Sequence, residues 1–197
     1  AAEGYDMIGV DLSDEMLEIA MDHQREKPDG ILYLLQDMRE FEPGEKVSAV
    51  VSACDSINYI LEPEDLQAVF FCVSESLKES GIFIFDINTP YKYEVLMADN
   101  TIAENRDEGS FIWDNYYDAD EKINEYDLTL FIKEQSEDED DIYKKFEETH
   151  FQRCYEISEL KELLEQSGLV FDAVYDAYTD DQVKCDSEKV TVIAHKA

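Results

Sequence analysis

The sequence predicts an α/β fold: a doubly wound, mostly parallel sheet carrying an antiparallel β insertion that forms a cap. Three observations predict it. Short apolar runs alternate with segments of helical period, at the spacing of right-handed βαβ units, so the strands pair in parallel. Those runs end near carboxylates, at Asp11, Asp37, Asp55 and Asp86, and open α/β sheets hold ligands outside the carboxyl ends of their strands. After Pro90 the rhythm gives way to aromatic, alternating segments, and it resumes near residue 153. The expected division is an α/β domain of residues 1–90 and 153–197, with residues 91–152 inserted as the cap.

The first strand is read from Met7 to Val10 and ends on Asp11. Ser13 then caps a helix whose first turn carries Asp14 and Glu15, acids that suit the positive helix N-terminus. Met16, Leu17, Ile19 and Ala20 form its apolar face, and it should end near Pro28 and Gly30. Ile31–Leu35 is a second strand. Val47–Ser52 is a third, small and β-branched, as a strand covered on both faces should be. A polar loop, Ala53–Tyr59, leads to a helix opened by Pro63 at a first-turn position. Leu66, Val69, Phe70, Val73 and Leu77 give that helix its period, Gly81 closes it, and Ile82–Ile87 is the fourth strand.

Residues 92–109 are expected to hold a short helix and a loop over a pocket. Phe111–Tyr117, Glu125–Ile132 and Ile142–Phe151 read as three antiparallel strands. The acidic run Glu137–Asp141 is expected to be a solvated hairpin tip, because calcium-binding spacing is absent. Ser158 caps a helix from Glu159 to Gln166 that Gly168 terminates, and Leu169–Tyr175 with Lys189–His195 form an antiparallel pair closing the sheet.

Composition narrows the function. The chain has 197 residues with 44% hydrophobic side chains, enough for one sizeable core. Sixteen Lys and Arg against 49 Asp and Glu give a net charge of −33. Such a surface repels phosphate backbones and anionic membranes, so neither nucleic acid nor membrane is the expected partner. Four well-separated cysteines and three histidines lack the spacing of a zinc site, and no metal is expected. The cysteines read as free thiols of a cytoplasmic protein, and no secretory signal or long apolar span is seen.

Four stretches carry a resemblance when taken in order: Gly9-Val10-Asp11-Leu12-Ser13, Gln36-Asp37-Met38-Arg39, Cys54-Asp55-Ser56-Ile57-Asn58-Tyr59, and His150-Phe151-Gln152-Arg153-Cys154-Tyr155 with the helix that follows. Their order resembles the class I S-adenosylmethionine-dependent methyltransferases, Rossmann-like enzymes, and the insertion is similar to that of the small-molecule branch containing amino-sugar N-methyltransferases. The resemblance implies S-adenosylmethionine as cofactor. It implies that Asp11, beside Leu12, holds the adenosyl ribose and that Asp37, beside Met38, approaches the adenine amine. It also implies that the loop from Cys54 faces the methyl-donor end. The family's first strand and glycine-rich loop have no counterpart among the seven glycines. The expectation is an amino-terminal segment preceding this sequence, and the other reading is a degenerate, non-catalytic homologue.

The expected activity is methyl transfer to nitrogen or oxygen of a small-molecule acceptor, and the alternative is a methyltransferase-like binding or scaffold protein. A nicotinamide-dependent oxidoreductase fits the insertion and the carboxy-terminal layout poorly. Asp55, Tyr59 and His150 are the catalytic candidates, and Asn58, Arg153 and Trp113 the substrate-binding ones. All but Asn58, a donor to substrate polar groups, have a structural alternative. Asp55 could cap the following helix, Tyr59 could pack on the cap, and His150 could be merely exposed or hydrogen-bonded. Arg153 could bind a substrate anion or balance neighbouring acids, and Trp113, with Tyr116 and Tyr117, could be core packing. Cys54 lies at the expected pocket without a mark of nucleophilicity. The reading leaves room for a homodimer.

Overall fold

Two short parallel strands open the chain. In the computed structural model, which describes residues 3–28, 30–134 and 141–197, β1 (Ile8–Asp11) runs beside β2 (Leu32–Leu35), Asp11 opposite Leu35. Gly9 allows this pairing to pack closely, since a Cβ there would lie 2.7 Å from the Tyr33 ring. Helix α1 (Asp14–Glu26) joins the strands, and Ser13 Oγ accepts the Met16 N–H at 3.2 Å as its N-cap. Of the expected apolar face only Leu17 is buried, whereas Met16 and Ile19 are exposed. A pair of four-residue strands offers a helix too little surface to cover more.

The core lies in a second sheet, ordered β3-β4-β10-β9: β3 (Val47–Ser52), β4 (Leu77–Asn88), β10 (Lys189–Lys196) and β9 (Leu169–Asp176). β3 and β4 pair in parallel, while β10 runs antiparallel to both β4 and β9, as expected of the closing pair. The parallel strands thus divide between two sheets that share no ladder hydrogen bonds among the described residues. One face of the second sheet is covered by α2 (Pro63–Ser76) and α3 (Ile157–Gln166). Leu66, Phe70 and Val73 of α2 meet Leu160 and Leu164 of α3 over Phe83, Phe85, Val190 and Val192. The rings of Phe83 and Phe85 stack at 4.7 Å, with Phe70 tilted against both. The opposite face is open at Val51, 64% exposed, so burial on both faces does not hold for β3.

Three boundaries differ from the sequence reading. Helix α2 ends at Ser76 because Leu77 turns extended (φ −78°, ψ 145°), which places Gly81 inside β4. Helix α3 begins at Ile157 after Glu156, so Ser158 sits in its first turn and does not cap it. The segment after Pro90 forms a π-helix, Lys92–Met97, and then a strand of its own, β5 (Thr101–Asn105). The cap is therefore a four-stranded antiparallel sheet, β5-β6-β7-β8, with β6 (Gly109–Asp118), β7 (Ile123–Lys133) and β8 (Tyr143–Arg153). Residues 137–140 of the acidic run lie outside the described residues. No helix among the described residues is long and apolar enough to cross a membrane.

Gly168 does end α3, at φ +78°, with its N–H donating to Glu165 O at 3.2 Å. Gly168→Ala is expected to cost about 1–2 kcal/mol, since the new Cβ would also sit 3.3 Å from Ser74 Oγ. A melting-temperature shift of several degrees downward checks it.

Candidate active site

The carboxyl ends of β3 and β4 meet at a loop held in an unusual conformation. Cys54 and Asp55 both adopt the left-handed region, at φ 62° and 52°, which costs a non-glycine residue energy unless the surroundings enforce it. Asp86, on β4 and 2% exposed, supplies that enforcement. Its carboxylate accepts the N–H of Cys54 at 3.1 Å and of Asp55 at 2.7 Å, and the Tyr178 hydroxyl also donates to it. The loop thereby turns the Asp55 side chain inward.

Three elements grip that side chain. Lys189 Nζ, at the start of β10, donates to Asp55 Oδ1 at 2.8 Å and lies 3.6 Å from Asp86. Gln152 Nε2 from β8 donates to Oδ2 at 2.7 Å, and Asn88 Nδ2 from β4 does so at 3.2 Å. Burial pushes the Asp55 carboxyl up, but hydrogen bonds from Lys189 and Gln152 outweigh it and hold the group below the usual carboxylate range. For Lys189 burial pulls the ammonium down, yet the Asp55 hydrogen bond and charge leave it raised. Lys92 Nζ donates to Asn88 Oδ1 at 2.9 Å, and burial lowers its ammonium. Tyr93 Oη donates to Gln152 Oε1 at 3.0 Å, closing the network from the π-helix side.

Above this floor lies the inner face of the cap. Strand pairing aligns Asn115, Tyr126 and His150 across β6, β7 and β8, so that Trp113, Tyr126, Glu148, His150 and Gln152 share one side. Tyr126 stacks on His150 with centroids 4.8 Å apart and meets Trp113 edge-on at 5.3 Å. From the floor, Tyr59 reaches up from the 3₁₀ turn Ser56–Tyr59. Its hydroxyl lies 2.5 Å from that of Tyr126 and 3.5 Å from His150 Nδ1. Burial, then the Tyr59 hydrogen bond, push the Tyr126 phenol up, so it is a neutral hydroxyl at physiological pH.

An inward acid at the strand ends lies beneath a histidine and a phenol of the inserted sheet, which a second phenol meets from the loop. Residues 1–81 match the family model described as a methyltransferase domain. The chain is 32% identical to YqeM of Bacillus subtilis (strain 168), named as a methyltransferase, over all of this chain and 78% of that protein. The chain belongs to the S-adenosylmethionine-dependent methyltransferases. The structure of an S-adenosylmethionine-dependent methyltransferase from Clostridium acetobutylicum superposes with a TM-score of 0.90 at 28% identity, covering 98% of this chain and 76% of that one. A dTDP-3-amino-3,4,6-trideoxy-alpha-D-glucopyranose N,N-dimethyltransferase of Streptomyces venezuelae is 33% identical over half of this chain and 38% of its own length.

In this methyltransferase the Rossmann-like core is therefore established, and S-adenosylmethionine is its cofactor. Asp11 fits the ribose: it sits exposed at the end of β1, and only its Oδ1 is engaged, accepting the Ser13 N–H at 2.9 Å. Oδ2 makes no hydrogen bond among the described residues, and Leu12 beside it is exposed. Asp37 fits its implied role less well. Both of its oxygens accept from Arg39, through the main-chain N–H and the guanidinium, which also binds Asp65 at 2.9 Å. The Arg39 hydrogen bond holds the Asp37 carboxyl below its usual range. Met38 packs against the main core.

The structure brings Asp55, Tyr59, Trp113 and His150 together, with Cys54, Asn58 and Arg153 adjoining them. The capping alternative for Asp55 is corrected, since its side chain makes no bond to the turn it precedes. Asn58 is buried with both amide ends taken: Nδ2 donates to Arg153 O at 2.9 Å and Oδ1 accepts the Asn88 N–H at 2.9 Å. It clips the loop to the cap and presents nothing to a substrate. Arg153 is likewise engaged within the fold, donating to Leu61 O at 3.3 Å, 3.8 Å from Glu159 and stacked over Tyr155. Cys54 is exposed and contributes its main-chain N–H. Trp113 also packs on Tyr93, Met97 and Cys154, so part of its role is structural.

Sequence reasoning missed Tyr126, Gln152, Lys92 and Lys189. For the two lysines a signal existed: in a chain with 16 basic residues, a lysine adjoining a buried apolar strand is conspicuous.

Proposed function

We propose that this protein transfers a methyl group to a nitrogen or oxygen of a small-molecule acceptor bound between the 53–59 loop and the cap. The observation that carries the reading is the Tyr59–Tyr126–His150 constellation, in which loop and cap share hydrogen bonds and ring contacts. When bound, the cofactor supplies a methyl group on a sulfonium that is already a good leaving group. What the chain must add is orientation and a route for a proton. Aromatic walls from Trp113, Tyr126 and Tyr59 orient an acceptor, and His150 takes a proton from one that arrives protonated. An amine is the favoured acceptor, because the relative from Streptomyces venezuelae is named for amino-sugar N-methylation. The four free cysteines suit a cytoplasmic site of action.

Calorimetric titration of S-adenosylmethionine into the protein and its Asp11→Ala variant tests the cofactor half. The variant should bind roughly 100-fold more weakly, from the loss of charge-assisted hydrogen bonds to a diol. Equal affinity would remove Asp11 from the site. Incubation with a panel of amines and alcohols, read by mass for added methyl groups, tests the acceptor half. Methylation confined to carbon would overturn the reading.

A further inference from the structure

The residues around His150 specify which of its nitrogens handles the proton, a detail beyond the activity proposed above and resting on it. Glu148 and His150 are two apart on the same face of β8. The Glu148 carboxylate lies 3.1 Å from His150 Nε2, and a carboxylate only accepts, so the hydrogen between them belongs to the imidazole. A neutral imidazole carries one ring hydrogen. With it on Nε2, Nδ1 presents a lone pair, and Nδ1 is the nitrogen facing Tyr59 Oη.

The polarity of the remaining bonds follows. Tyr59 donates its hydroxyl hydrogen toward Nδ1 and accepts the hydroxyl hydrogen of Tyr126, 2.5 Å away. The ring plane is held by stacking on Tyr126 at an interplanar angle of 16° and edge-on contact with Tyr59 at 5.9 Å, and the partners at its two nitrogens set which edge faces which. Glu148 is 54% exposed, so its Coulombic attraction for an imidazolium is screened.

We propose that Glu148 is a positioning residue that fixes neutral His150 with its hydrogen on Nε2, making Nδ1, at the head of the Tyr59–Tyr126 hydroxyl pair, the proton acceptor of methyl transfer. The acceptor's lone pair forms the new bond to the methyl carbon while the carbon–sulfur bond breaks with its electron pair kept by sulfur. The acceptor's proton passes to Tyr59 Oη, whose own hydrogen moves to Nδ1. The resulting imidazolium remains hydrogen-bonded to Glu148, and no redox partner is needed.

The tautomer can be read without substrate or cofactor, so this inference fails separately from the proposed activity. In ¹⁵N-labelled protein, at a pH where His150 is neutral and with His150→Phe to assign the signals, Nε2 should show the shift of a protonated ring nitrogen and Nδ1 that of an unprotonated one. Glu148→Ala should move both shifts toward the values of a mixture, and Glu148→Gln, whose amide oxygen still accepts, should restore the wild-type pattern. A wild type with its hydrogen on Nδ1, or a Glu148→Ala variant with unchanged shifts, would overturn the proposal.

Discussion

Asp55→Ala is expected to destabilise the fold by about 3 kcal/mol, seen as a fall in melting temperature of roughly 6–12 °C for a domain of this size. The residue is held by three elements distant in sequence, through Lys189, Gln152 and Asn88. Removing it leaves the Lys189 ammonium, 19% exposed, with Asp86 at 3.6 Å as its remaining carboxylate, and strands the Gln152 amide. That residual partner places the loss at the low end for a broken buried pair. Adding Lys189→Met to Asp55→Ala should recover part of the loss, because the orphaned charge goes too, and a double-mutant cycle measures the coupling. The pH dependence has a definite sign. The Asp55 carboxyl is depressed in the fold, so its contribution is present above its ordinary value of about 4 and lost as pH falls through the lower folded value. The Lys189 ammonium is raised, so its contribution is present below about 10 and lost as pH rises through the higher folded value. Wild type and variant should therefore differ most between those limits and converge outside them. Parallel melting curves across the acid range would sink this account.

What the sequence exposed of this molecule was local. The Ser13 cap, the Pro63 helix start and the Gly168 stop each need only a few neighbouring residues, and each stands in the structure. The switch to alternating aromatics after Pro90 likewise announced an antiparallel cap. β5 stayed hidden because all five of its residues are exposed and no apolar alternation marks it; it is a strand by virtue of pairing with β6. The site was legible where a side chain sits on the loop itself, as Asp55 and Tyr59 do. It was opaque where the arrangement depends on distant partners: Gln152 and Lys189 lie 97 and 134 residues from Asp55, and no local pattern encodes that approach. Asp37 shows how a local partner adds to a position that sequence alone defines. Its position after β2 predicts a cofactor contact, and an arginine two residues on donates to both of its oxygens.

His150→Phe is expected to lower kcat/KM for methyl transfer by about 10²- to 10⁴-fold, the usual range for a lost general base. Phenylalanine keeps the ring that stacks on Tyr126 and meets Tyr59 edge-on, so the cap's inner face should keep its shape. Both nitrogens go, and with them the terminus of the hydroxyl pair and the bond to Glu148. Asp11 and the Asp55 network are untouched, so calorimetry should find cofactor affinity unchanged in the variant. The size of the rate loss should itself depend on pH. An amine acceptor below its own pKa arrives protonated and needs a base, whereas above that pKa it brings a free lone pair and needs only orientation. The defect should therefore be deepest below the acceptor's pKa at a pH that leaves the imidazole lone pair free, and shrink as pH rises past the acceptor's pKa. A defect equally deep at every pH would assign His150 to holding the acceptor, because a contact that only orients is lost to the same extent whatever the acceptor's protonation state.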